Sequence, residues 1–147
     1  LRGAVYYLAA LPVVVVCSLA YEVALQFWGY PLTLQNVALF FLEPRPGWLQ
    51  GVMILTGMLA APFAEELLFR GVVLPAVARK LGGAPAVLLL SAVFAAMHFH
   101  VPSLAPLFLL AAAFSLAYIQ TGSLWVPVTM HVLFNGVNLA VLLWTFP

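Results

Sequence analysis

Three clusters of polar side chains stand in a strongly apolar chain of 147 residues, and their types are those that move protons. The first is Pro62-Phe63-Ala64-Glu65-Glu66-Leu67-Leu68-Phe69-Arg70-Gly71, which holds two of only four acidic side chains. The second is His98, at the end of Phe94-Ala95-Ala96-Met97-His98, and the third is His131-Val132-Leu133-Phe134-Asn135. On a helix, residues four apart share a face and residues five apart do not. Glu66 and Arg70 therefore pair, in the acid-first order that pairs best, and Glu65 is left with no partner on its own helix. A carboxylate without a counter-ion is the group from which a general base or acid is made. His131 and Asn135 likewise share a face, which Asn138 continues. A carboxylate, two imidazoles and an amide on three helices supply a base, a proton carrier and donors to a developing oxyanion. Each cluster also has a structural reading, as an ion pair, an interfacial histidine or an interhelical hydrogen bond.

The elements that must position these groups follow from composition. At 66% hydrophobic and 6% charged, with a mean hydropathy of +1.16, the chain lies far from soluble domains, which are roughly 25% charged. It is expected to be an all-α, polytopic bundle of about five spanning helices, near residues 4–27, 49–79, 84–100, 104–120 and 124–145, forming a single membrane domain over 1–147. Tight connections at Lys80–Gly83, Val101–Ser103 and Thr121–Ser123 make neighbours antiparallel. The apolar patch Val37–Leu42 is too short to span and is expected on the surface. Residues 3–27 are too long for a signal-peptide core and are read as a span. The first residue is Leu1, as it would be in a piece of a longer protein.

A charge at the centre of a spanning helix costs roughly 2.5 to 3.5 kcal/mol, so such residues face the bundle interior, pair, or carry function. The second segment is too long for a simple span, at about 46 Å against a core of about 30 Å, and Pro62 and Pro75 are expected to kink it. Counting residues from the loops places His98 at the height of Glu65, and His131 roughly 9 to 10 Å lower, a gap that tilted helices would have to close. His100, beside the Pro102 loop, is read as interfacial. Arg2, Arg79 and Lys80 against Arg45 put the N-terminus in the cytoplasm. A net charge of +1 with no basic cluster excludes nucleic acid as a partner. The lone Cys17 cannot form an internal disulfide and is read as a small buried hydrophobe.

The ordered trio Glu65-Glu66-x-x-x-Arg70, Phe94-x-x-x-His98 and His131-x-x-x-Asn135 resembles the CPBP family of intramembrane proteases, which includes the type II CAAX prenyl endopeptidases and the bacteriocin self-immunity proteins. The likeness runs from about Leu49 to the C-terminus, so 49–147 is the family-like catalytic core. It implies that Glu65 and His98 activate a water for attack on a peptide carbonyl, with His131 and Asn135 stabilising the oxyanion and Glu66 and Arg70 supporting the site. It leaves two cofactor readings. Glu65, His98 and His131 form a His₂Glu set of the kind zinc accepts, and the glutamate-activated water also works with no metal, which is the favoured reading. No H-E-x-x-H, G-x-S-G or G-x-G-D sequence occurs. The expected partners are a membrane-associated peptide or protein substrate and the lipid bilayer, in a bacterial cytoplasmic membrane. A proton-coupled transporter and a non-catalytic immunity protein on the same scaffold are the alternatives.

Overall fold

A computed structural model describes residues 1–146. Those residues form helices and no strand. Helix α1 is Arg2–Phe27, a short α2 is Asn36–Leu42, and α3 runs without interruption over Gly47–Leu81. Helix α4 is Gly83–Ala96, α5 is Leu104–Thr121 after a single 3₁₀ turn at Val101–Ser103, and α6 is Trp125–Thr145. Four of these, α1, α3, α5 and α6, are long and apolar enough to cross a membrane. The expected span at 84–100 is a 14-residue helix, about 21 Å long. It stops because His98 turns its Nδ1 back onto the Phe94 carbonyl at 2.8 Å, taking an acceptor of the last turn. Phe99, at φ 48°, then reverses the chain.

The two prolines of α3 stand where its hydrogen-bond register changes. A helical proline removes one N–H and clashes with the carbonyl four residues back. Here each proline follows a widened, π-helical stretch, Thr56–Ala60 before Pro62 and Leu67–Val73 before Pro75. Widening the turn moves the clashing carbonyl aside, and the helix continues to Leu81. Glycines in positive-φ conformations close both neighbouring turns, Gly82 after α3 and Gly122 after α5.

The core lies where α3, α4, α5 and α6 meet, around Phe69, Phe94, Leu110, Phe114 and Met130. A second layer joins Leu74 to Ala86, Val87 and Leu90, under the α3–α4 turn. Helix α1 covers α5 and α6, burying Tyr7 and resting Gly3 on α6. A β-carbon on Gly3 would stand 2.5 Å from Thr129 Cβ. Gly3→Ala is therefore expected to lower stability by about 1 to 3 kcal/mol as α1 is pushed away, measured as thermal unfolding in detergent. The outer faces of α1, α3 and α6 carry exposed Leu, Val, Phe and Trp, which lipid covers in an integral membrane protein. The Val37–Leu42 patch forms α2 and buries none of its residues.

The polar loops opposite the α3–α4 turn are tied together. His100 bonds Ser103 Oγ at 2.7 Å through Nδ1 and the Thr33 carbonyl at 3.1 Å through Nε2. Gln35 donates to Ser103 Oγ at 2.7 Å, and Tyr21 donates to the Val101 carbonyl at 3.0 Å. These contacts make His100 a loop anchor.

Candidate active site

Arg70 is the fixed point. Its guanidinium is 2% exposed, and it donates to Glu66 Oε1 at 2.8 Å and to the Ala111 carbonyl at 2.8 Å. A longer bond, 3.3 Å, reaches Ser115 Oγ. The rings of Phe69, Phe94 and Phe114 surround it at 5.2 to 5.8 Å from their centroids. Such a cage excludes water, and in a low dielectric a paired charge is held far more strongly than at a surface. The i, i+4 pair expected from the sequence is thus present, and it is also bonded to α5.

Glu66 passes this order on to α6. The carboxylate oxygen that binds Arg70 also accepts a hydrogen bond from His131 Nδ1 at 3.0 Å. A carboxylate paired with arginine can only accept, so His131 carries its proton on Nδ1. Its other nitrogen, Nε2, then faces Glu65 Oε2 across 3.9 Å. Phe114 and Phe94 pack the imidazole ring at 5.2 and 5.9 Å. Arg70, Glu66, His131 and Glu65 form one line, ordered at the buried end and open at the other. Glu65 is 38% exposed, yet its Oε2 is buried and accepts no hydrogen bond. Oε2 of Glu66 is also buried and unbonded.

The structure corrects the expected heights. Counting residues assumed that the α3–α4 and α5–α6 turns lie at one depth, which set His131 below Glu65. Leu124, at the start of α6, instead packs beside Gly71, whose added β-carbon would meet Leu124 Cδ1 at 3.3 Å. Helix α3 runs on for ten residues beyond that point, to Leu81. His131 is seven residues from Leu124 and Glu65 six from Gly71, so the two are level, and His131 becomes the neighbour of Glu65.

His98 lies past the end of α4 and makes no hydrogen bond or ion pair with Glu65 among the described residues. Its Nδ1 is held by the Phe94 carbonyl, which can only accept, so in the neutral ring Nε2 carries the lone pair, on a residue that is exposed. His98 and His131 touch the same Phe94 ring, at 5.0 and 5.9 Å. No three His, Cys, Asp or Glu side chains among the described residues converge on one point where a metal ion could be held. Glu65, His98 and His131 are accordingly not gathered as a His₂Glu ligand set among the described residues. No step is routed through a metal here.

Asn135 makes no hydrogen bond to the acids among the described residues. Its amide donates to the Gly57 carbonyl on α3 at 2.9 Å. Asn138 bonds back to the Phe134 carbonyl within α6 and is exposed, so it does not extend the site. Between α3 and α6, Leu55, Leu59, Phe63, Trp125, Val128 and Val132 line an open apolar groove of about 390 Å³. The sequence had no signal for this groove, because it arises from the angle between two helices.

Comparison with known proteins adds one finding. No curated protein and no solved structure matches the chain. A family model described as type II CAAX prenyl endopeptidase Rce1-like matches residues 47–137, well over half of the chain. The matched region contains Glu65, Glu66, Arg70, His98, His131 and Asn135, the buried line and both helices of the groove. With four apolar helices around that region, the chain belongs to the Rce1-like family of type II CAAX prenyl endopeptidases, intramembrane proteases by type.

Proposed function

We propose that this protein hydrolyses a peptide bond in a membrane-associated protein or peptide, with Glu65 as the base that activates water. The observation that carries this reading is the buried, unbonded Oε2 of Glu65 facing His131 Nε2 at 3.9 Å. A general base needs a free lone pair and a fixed neighbour, and both are present.

Water binds between Glu65 and the free Nε2 of His98, which make no hydrogen bond to each other among the described residues. Its oxygen attacks the substrate carbonyl carbon, and its proton passes to the Glu65 carboxylate. The tetrahedral oxyanion is stabilised by His131, whose Nε2 receives the water proton by way of Glu65, donates it to the oxyanion and returns it to Glu65 as the intermediate collapses, with Nδ1–H held by Glu66 throughout. The C–N bond then breaks, and the proton on Glu65 goes to the leaving amine nitrogen. Atoms balance as one water consumed, one new carboxylic acid and one new amine, between which a proton then passes to give carboxylate and ammonium. The substrate's membrane anchor lies in the apolar groove between α3 and α6, which brings the bond to be cut in from the lipid side. Glu66 and Arg70 position His131 and do not touch substrate.

The test is cleavage of membrane-anchored peptides by the purified protein in liposomes, with and without a chelator, alongside proton flux. Cleavage that persists with the chelator supports the metal-free reading, and cleavage lost with the chelator and restored by zinc overturns it. Flux without cleavage would make the protein a transporter. His131→Ala is expected to lower kcat by about 10² to 10³, with a smaller change in KM.

A further inference from the structure

The amide of Asn135 has a backbone partner, and the local geometry of α3 explains why. In the π-helical stretch Thr56–Ala60, the Ala61 N–H bonds the Thr56 carbonyl, five residues back. In that register the next donor, owed to the Gly57 carbonyl, would come from residue 62. Residue 62 is proline and has no N–H. The Gly57 carbonyl is therefore left without a backbone partner inside an apolar bundle, where such a group is costly. Asn135 Nδ2 supplies the missing bond at 2.9 Å. The helices approach closely there: a β-carbon on Gly136 would stand 3.0 Å from Met58 Cε.

We propose that Asn135 is a positioning residue, a surrogate donor for the N–H that Pro62 lacks, and that this bond sets the rotation of α3 that aims Glu65. One extra residue in a helical turn rotates everything beyond it by about 100°. Glu65 lies just beyond this widened turn, and Asn135 lies one turn from His131 on α6. The bond therefore clamps the Glu65 helix to the His131 helix at the residue where α3 leaves regular geometry. Asn135 acts through the backbone of α3 with one of its two amide hydrogens.

The inference rests on the proposed hydrolysis only for its effect on cleavage, and its structural half is tested without any substrate. Asn135→Ala, Pro62→Ala and the double variant are compared in detergent by thermal unfolding and in liposomes by cleavage. Asn135→Ala is expected to lower the Tm by about 5 °C and kcat by about 100-fold. Pro62→Ala returns an N–H to the Gly57 carbonyl, so in the Asn135→Ala background it is expected to restore part of both. If Asn135→Ala alone does not fold, recovery of folded protein in the double variant gives the same answer. Asn135→Asp, similar in shape but without the amide N–H, is expected to behave as Asn135→Ala does. The inference is overturned if the Tm effects of the two substitutions add with no coupling, or if cleavage falls with no change in Tm and Pro62→Ala restores none of it. In the second case Asn135 donates to the substrate directly. Should the wild type cleave nothing, the Tm coupling still decides the structural half, and only the hydrolytic reading falls.

Discussion

Glu65→Gln is expected to lower cleavage by about 10² to 10⁴ while leaving thermal unfolding unchanged. The glutamine is the same shape and cannot take a proton from water, so the chemical step is lost. Stability is spared because Glu65 makes no hydrogen bond to another of the described residues and its contact with His131, at 3.9 Å, is longer than one. Removing a buried carboxylate oxygen with no donor also removes a desolvation cost, so a small rise in Tm is consistent with this account. The check is kcat from a fluorescent peptide in liposomes, together with a melting curve in detergent. Full activity in Glu65→Gln would remove Glu65 from the chemistry. A large loss of stability would mean that it has a structural partner.

The opposite pattern is expected of Arg70→Met, which is predicted to destabilise the fold by about 3 to 5 kcal/mol. Arg70 fills space among Phe69, Phe94 and Phe114, and Met replaces much of that volume. The cost comes from Glu66, which is fully buried and would lose its counter-ion. Glu66→Gln added to Arg70→Met is therefore expected to recover part of the loss, because no uncompensated charge then remains. The measurement is a double-mutant cycle by thermal or denaturant unfolding. Simple additivity of the two changes would mean that the pair is not the source of the stability. Activity is expected to fall in both single variants, since Glu66→Gln weakens the acceptor that fixes the His131 proton and Arg70→Met frees that acceptor from its own anchor.

What the sequence could show was set by short range. The Glu66–Arg70 pair depends only on four-residue spacing, and it is formed at 2.8 Å. Membrane class and the α-helical bundle followed from composition, and all four long spans lie close to their expected limits. Depth was not legible, because it depends on where helices from distant parts of the chain begin to touch. The contact of Leu124 with Gly71 set the height of His131, and no residue count contains it. The helix end at His98 was not legible either, because the last two residues of Phe94–His98 leave the helix. Pro62 was visible as a helix breaker, but its accommodation by a widened turn and the donor from Asn135 need a neighbour 73 positions away in the sequence. The motif residues were therefore identifiable one by one, and their mutual arrangement was not.

The central claim is that water activated by Glu65 attacks the peptide carbonyl directly. It is tested most directly by one turnover with excess enzyme in ¹⁸O-labelled water, followed by mass spectrometry of both the new C-terminal peptide and the Glu65 fragment. The account predicts one ¹⁸O in the product carboxylate and none on Glu65. Label on Glu65 with an unlabelled product, or no product at all, would contradict it.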